Sequence, residues 1–211
     1  MPNVIYVWEQ TPKEWFTCIR PVPSHRTADT VTVEATPFVC AKKRLLGTNF
    51  FYQLALSESS LAEDVRAIRQ ACPTLPLSGD TRSGVLIFDG NKIIASYLFP
   101  GTYTRNERRL AVHPDYRGQG LAKLMVSQWQ REVPTVDTIP PQTVNVAAVR
   151  TMFSAIKMTL AWAVSSGKVV PQRVRDAWSA GTEEAEILAE LLKVEQASGS
   201  PRQRVANRFA R

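Results

Sequence analysis

Metal ligands, thiols and long apolar runs are all scarce in this chain. Its 211 residues hold three cysteines (Cys18, Cys40, Cys72) and two histidines (His25, His113). Three thiols, odd in number and far apart, do not make a disulfide frame; they point to reduced cysteines in a cytoplasmic setting. No Cys/His spacing matches a zinc site, so no structural metal is expected. No apolar stretch approaches the length of a bilayer-spanning helix, and no membrane role is expected. The opening residues, Met1-Pro2-Asn3-Val4-Ile5-Tyr6, lack the basic start and long apolar segment of a signal peptide.

What is present is ordinary globular material with an excess of positive charge. The apolar fraction of 44% is ample for a core, and the length suits one domain with appendages. A net charge of +7 suggests an anionic partner. Arg105, Arg108, Arg109, Arg117, Lys123 and Arg131 gather in one stretch of sequence, although each alone reads as a solvated surface charge. The last residues hold Arg202, Arg204, Arg208 and Arg211 with no acid. Such a tail is either disordered or the contact for an anionic partner, a nucleic acid or an acidic protein surface.

Along the chain, Val4–Trp8 is rich in β-formers and predicts a first strand. Residues 11–30, with Pro12, Pro21 and Pro23, read as irregular or extended. The alternation of Val31, Val33 and Ala35 over residues 31–40 suggests an edge strand, and residues 50–56 are apolar but ambiguous in type. Ser60-Leu61-Ala62-Glu63 is a capping-box pattern that starts a helix running to about Cys72-Pro73. Val85–Phe88, the turn Asp89-Gly90-Asn91, and Lys92–Phe99 predict a β-hairpin, and a third strand follows over residues 106–112. Beyond it, a long helix over Asn145–Ser166 is stopped by Gly167, and another begins after Pro171. In the first of these, Ala148, Met152, Ile156, Leu160 and Val164 read as one apolar stripe, although residues 158–164 also alternate as a strand would. Thr182-Glu183-Glu184 caps a last helix, whose face of Ile187, Leu188, Leu191, Leu192 and Val194 is expected to pack on the core.

The most informative stretch is Arg109-Leu110-Ala111-Val112-His113-Pro114-Asp115-Tyr116-Arg117-Gly118-Gln119-Gly120-Leu121-Ala122. It reads as a strand, a Pro-terminated turn, and a glycine loop entering a helix over Leu121 to about Glu132. A helix entered through glycines presents unpaired N–H groups and the positive end of its dipole, an arrangement suited to a phosphate or diphosphate. Arg117 adds charge at the rim.

Arg117-Gly118-Gln119-Gly120-Leu121-Ala122, behind Leu110-x-Val112-x-Pro114, resembles the acetyl-CoA signature of the GNAT family, the GCN5-related N-acetyltransferases. Asn145-x-x-Ala148 resembles the family's second signature. The resemblance implies an α/β (α+β) fold, a mixed and mostly antiparallel sheet flanked by helices, here with a C-terminal helical extension. It implies acetyl-CoA as co-substrate and an amine acceptor, either a small molecule or a protein. Leu110, Ala111 and Val112 would meet the pantetheine arm, Arg117, Gly118, Gln119, Gly120, Leu121 and Ala122 the diphosphate, and Asn145 the far side of the coenzyme. The expected division is a coenzyme-binding core over 1–143, a helical part over 144–198 and the basic tail over 199–211.

Catalytic side chains are less legible. Glu107 lies on the motif strand, where many relatives keep a carboxylate acting as base; it reads equally as a surface ion pair with Arg105 or Arg109. Glu34 is a second candidate base, and His113 reads as a turn residue. The family often holds a Tyr seven residues after the Asn, then Gly-Phe; here those places carry Met152, Ala155 and Ile156. Tyr97, Tyr103 and Tyr116 stand elsewhere. Two functional readings stay open: an N-acetyltransferase, or a catalytically weak GNAT-like structural or adaptor protein such as a phage virion or host-interacting component.

Overall fold

A computed structural model describes residues 5–19, 21–23, 43–45, 47–55, 81–100, 109–132 and 142–197. In chain order its elements are a 3-10 turn (Val7–Glu9), α1 (Pro12–Cys18), β1 (Pro21–Pro23), β2 (Lys43–Arg44), β3 (Phe51–Ala55), β4 (Thr81–Asp89), β5 (Lys92–Pro100), β6 (Arg109–Val112), α2 (Leu121–Glu132), β7 (Gln142–Val144), α3 (Val146–Ser165), α4 (Gln172–Ala180) and α5 (Thr182–Ala197). The architecture is mixed α/β. Two compact units divide it: Met1–Thr27 with Val136–Arg211, and Ala28–Thr135. That division falls elsewhere than the sequence-based boundary at 143/144, because the N-terminal segment joins the C-terminal helices. The strand over 31–40, the helix from Ser60 and the basic tail lie outside the described residues.

The unit spanning 28–135 is built on a sheet ordered β2-β3-β4-β5-β6, antiparallel throughout. Its centre is the expected hairpin of β4 and β5. Gly90 sits at φ +57° in the turn, a conformation a Cβ disfavours. Val85, Leu86, Ile87 and Phe88 are all buried, as are Ile93, Ile94 and Ala95. Successive strand residues point to opposite faces, so both faces of the hairpin are covered. Helix α2 packs against β4, β5 and β6, burying Leu121, Met125 and Val126. At its far end Tyr52 donates from its hydroxyl to Glu132 Oε1 (3.1 Å), which also accepts from Gln128 Nε2 (3.1 Å).

The other unit is mostly helical, with β1 and β7 forming a parallel pair. Val7, Trp8, Trp15 and Ile19 share one core with Val149, Phe153, Ile156, Val174, Trp178, Ile187 and Leu191. Phe153 meets Trp15 and Trp178 edge-on, with centroids 5.8 and 5.6 Å apart. The Trp178 indole donates to the Gln10 carbonyl at 2.8 Å. Helix N-terminal donors find carboxylates on α5: Glu183 accepts from the Lys13 N–H at 2.9 Å and Glu195 from the Val146 N–H at 2.7 Å. Helix α5 thus packs on this core, as its apolar face suggests.

Three expectations are corrected here. Within Val4–Trp8, the described residues form no strand: after a single bridge at Tyr6 the chain turns, the Glu9 carboxylate accepting the Tyr6 N–H at 3.1 Å. Residues 12–18 are helical, not irregular: Thr11 caps the Glu14 N–H, the Glu14 side chain returns to the Thr11 N–H, and Pro12 occupies the first helical position. In α3 the buried stripe is Val149, Phe153, Ile156, Leu160 and Ala163, while Val164 is 47% exposed. Steps of four residues advance 400° and drift off one face, whereas alternating steps of four and three stay on it. The long helix itself is present, and residues 158–164 are helical. It ends at Gly167 (φ +73°) in a Schellman motif, the Lys168 N–H reaching the Ala163 carbonyl at 2.9 Å and the Gly167 N–H that of Val164 at 3.1 Å.

Candidate functional site

The signature run is built on the last strand of the sheet. β6 pairs with β5 in the register Ala95↔Val112, Ser96↔Ala111, Tyr97↔Leu110 and Leu98↔Arg109. The His113 N–H donates to the Ile94 carbonyl at 2.8 Å, which makes His113 and Ile94 a hydrogen-bonded pair. Antiparallel alternation then turns the main-chain groups of Ala111 toward β5 and those of Leu110 and Val112 toward the outer edge. The sheet order ends at β6, and among the described residues no strand lies beyond it. Leu110 and Val112 therefore turn their main-chain donors and acceptors to the edge away from β5, where no described strand pairs with them, with Ala111 as the buried link between them.

After β6 the chain closes tightly. Pro114–Tyr116 form a 3-10 turn, with the His113 Nδ1 accepting the Asp115 N–H at 3.3 Å, the turn role its position suggests. Tyr116 fastens this turn to the β4–β5 hairpin by donating to Asp89 Oδ2 at 2.7 Å, a contact that raises the phenol's pKa. Its ring also meets His113 and Phe50 edge-on. Arg117 folds back so that its Nε donates to the Val112 carbonyl at 3.2 Å.

Gly118 and Gly120 both have positive φ, +79° and +76°, in the left-handed region that costs an L side chain about 1–2 kcal/mol. Among the described residues, no heavy atom lies within 4 Å of the place a Gly118 Cβ would take, and a Cβ on Gly120 would come within 2.9 Å of Lys123 Cε. The Gly120 carbonyl accepts the Leu124 N–H at 3.2 Å, which makes Gly120 the N-cap of α2. Among the described residues, no hydrogen bond engages the N–H groups of residues 118–123. The loop thus offers several donors, space over Gly118 that no described residue fills, and the flanking cations Arg117 and Lys123. That donor set suits a diphosphate.

Asn145 belongs to the helical unit. Its Oδ1 accepts the Ala148 N–H at 2.7 Å and it caps α3, so the Asn-x-x-Ala spacing here is the spacing of an N-cap to its third helical residue. Met152, at the family's Tyr position, packs against the helical core. Glu107 and Glu34 lie outside the described residues. The Tyr116–Asp89 and Arg117–Val112 contacts carry no sequence signal, since their partners share neither a motif nor a helical or strand spacing. Among the described residues, no helix is long and apolar enough to cross a membrane.

The family model of the acetyltransferase (GNAT) domain matches residues 81–153. This stretch runs from the first residue of β4 into α3 and contains β6, the glycine loop and α2. No curated protein and no solved structure matches the chain. Acetyl transfer is the general activity of such a domain. The strand, the loop, the helix and this match together make residues 81–153 similar to the acetyltransferase (GNAT) domain.

Proposed function

We propose that the protein transfers an acetyl group from acetyl-CoA to an amine. The observation that carries this reading is the loop at residues 117–122: two glycines at positive φ, N–H groups ahead of α2 for which the described residues supply no acceptor, and a strand edge alongside that no described strand covers. Arg117 to Ala122 hold the diphosphate, and the outward groups of Leu110 and Val112 pair with the amides of the pantetheine arm. Acetyl-CoA, when bound, supplies the reactive thioester. The chain contributes position, which for two aligned reactants is worth about 7–11 kcal/mol of barrier, and main-chain donors near the developing oxyanion. Glu107, two residues ahead of β6 in sequence, is the proposed base for the ammonium proton. Asn145 orders the start of α3 as a helix cap.

Calorimetry with acetyl-CoA tests the reading. Micromolar binding that disappears in Gly120→Trp supports it; absence of heat at millimolar coenzyme overturns it. Thiol release with a panel of amines then tests catalysis. In Glu107→Gln we expect turnover to fall by about 10²–10⁴-fold with coenzyme affinity kept, and unchanged turnover removes Glu107 from the mechanism. Met152, turned into the helical core where relatives keep an acid, favours one second reading: a coenzyme-binding adaptor, to which binding without turnover would point.

A further inference from the structure

The outer edge of β6 is occupied in part by the chain's own arginine. Val112 is one of the two residues whose main-chain groups face that edge, and its carbonyl accepts from Arg117 Nε at 3.2 Å. The guanidinium therefore lies between two subsites, the strand edge behind it and the glycine loop that follows it in sequence. From this contact we infer that Arg117 is a specificity-determining residue: it makes the site select thioesters whose pantetheine arm carries a diphosphate over those bearing the arm alone. The inference rests on the coenzyme reading above.

The physical argument is an exchange of partners. In the structure the acceptor that Arg117 holds is a neutral carbonyl. A diphosphate offers charged oxygens that can take the guanidinium fork two bonds at a time, with a charge–charge attraction that a neutral carbonyl lacks. Drawing the guanidinium onto the diphosphate frees the Val112 carbonyl and uncovers the edge for an amide donor. A short pantetheine thioester must displace the arginine with nothing to compensate it. The two subsites are thereby coupled, and such coupling is reciprocal. Tyr116 holds the turn between β6 and Arg117 to Asp89 at 2.7 Å, so the exchange requires only side-chain rotation of an exposed residue.

Three probes separate the possibilities on the full chain: coenzyme A, pantetheine, and inorganic pyrophosphate. In the wild type, saturating pyrophosphate should tighten pantetheine binding about fivefold or more. In Arg117→Ala, pantetheine alone should bind as tightly as it does to the wild type with pyrophosphate present. Coenzyme A should bind that variant about tenfold more weakly, one charge-assisted hydrogen bond having been lost. Pantetheine affinity that ignores pyrophosphate in the wild type overturns the inference while leaving the coenzyme reading intact, provided coenzyme A binds. So does an Arg117→Ala variant with unchanged or weakened pantetheine affinity, or pantetheine that fails to bind at all where coenzyme A does. A wild type that binds no coenzyme A overturns both.

Discussion

At the scale of single residues, the glycine loop is held by backbone conformation more than by packing. Gly118 at φ +79° has no heavy atom of the described residues within 4 Å of a would-be Cβ, so among them its dihedral is what opposes a side chain. We therefore expect Gly118→Val to cost about 1–2 kcal/mol and Gly118→Asn clearly less, because Asn visits the left-handed region more readily. Urea midpoints for the two variants check this; equal losses would show that steric contact, not φ, sets the requirement. This part of the site was legible in advance. A Gly-x-Gly between a strand and an amphipathic helix fixes where N–H groups are left unpaired, and it does so within a few residues of sequence. Arg117 was legible only as a charge: its contact with Val112 depends on a three-residue turn whose geometry local sequence does not encode.

Among the polar contacts that join elements, one gives a pH signature. The Tyr52 ring of β3 is buried and its hydroxyl donates to Glu132 at the end of α2. Burial first, then the hydrogen bond and the Glu132 charge, raise its pKa from the ordinary value. The folded protein thus keeps this proton to higher pH than the unfolded chain does. The stabilisation is complete below the unfolded value of about 10 and is lost as pH rises through the folded one. We expect Tyr52→Phe to be less stable at neutral pH by about 0.5–1.5 kcal/mol, and the gap to the wild type to close above about pH 10. Urea titrations across that range read it directly, and parallel curves would exclude Tyr52 as the source. At this scale the strongly periodic elements, the hairpin, α2 and α3, were legible. Helix α1 was missed although Thr11-Pro12-Lys13-Glu14 is a capping box with Pro at the first helical position: three nearby prolines suggested a broken chain, whereas one of them was starting a helix. Glu14 also shows a cost and its compensation. Burial would raise its carboxyl, but Arg173, with the Thr11 N–H, holds it below the usual range, while that arginine's second nitrogen donates to the Glu9 carbonyl at 3.1 Å.

For the molecule as a whole, the order of residues in sequence conceals which segments share a core. The chain leaves one unit after Thr27 and returns to it at Val136, so the second unit is an insertion between two parts of the first. Periodicity reports which face of an element is apolar but not which distant element covers it, and for that reason the role of the N-terminal segment was not readable. Its tryptophans state it plainly: Trp8 and Trp15 are 6% and 3% exposed, and Trp15 meets Phe153 of α3 edge-on at 5.8 Å. If the N-terminal segment is part of that core, then removing the Trp15 indole leaves a cavity bounded by α3, and truncations of this kind cost about 3–5 kcal/mol. An appendage that merely touched the surface would cost far less, within about 0.5 kcal/mol. The reporters are favourably placed, since Trp162 and Trp178 lie in the same unit and both belong to its core or pack against it. We expect Trp15→Ala to lower the urea midpoint of the fluorescence transition by the larger amount, and Lys13→Ala, which removes only an exposed ion pair with Glu186, to shift it little. A Trp15→Ala transition that coincides with that of Lys13→Ala would remove the N-terminal segment from the core of the helical unit.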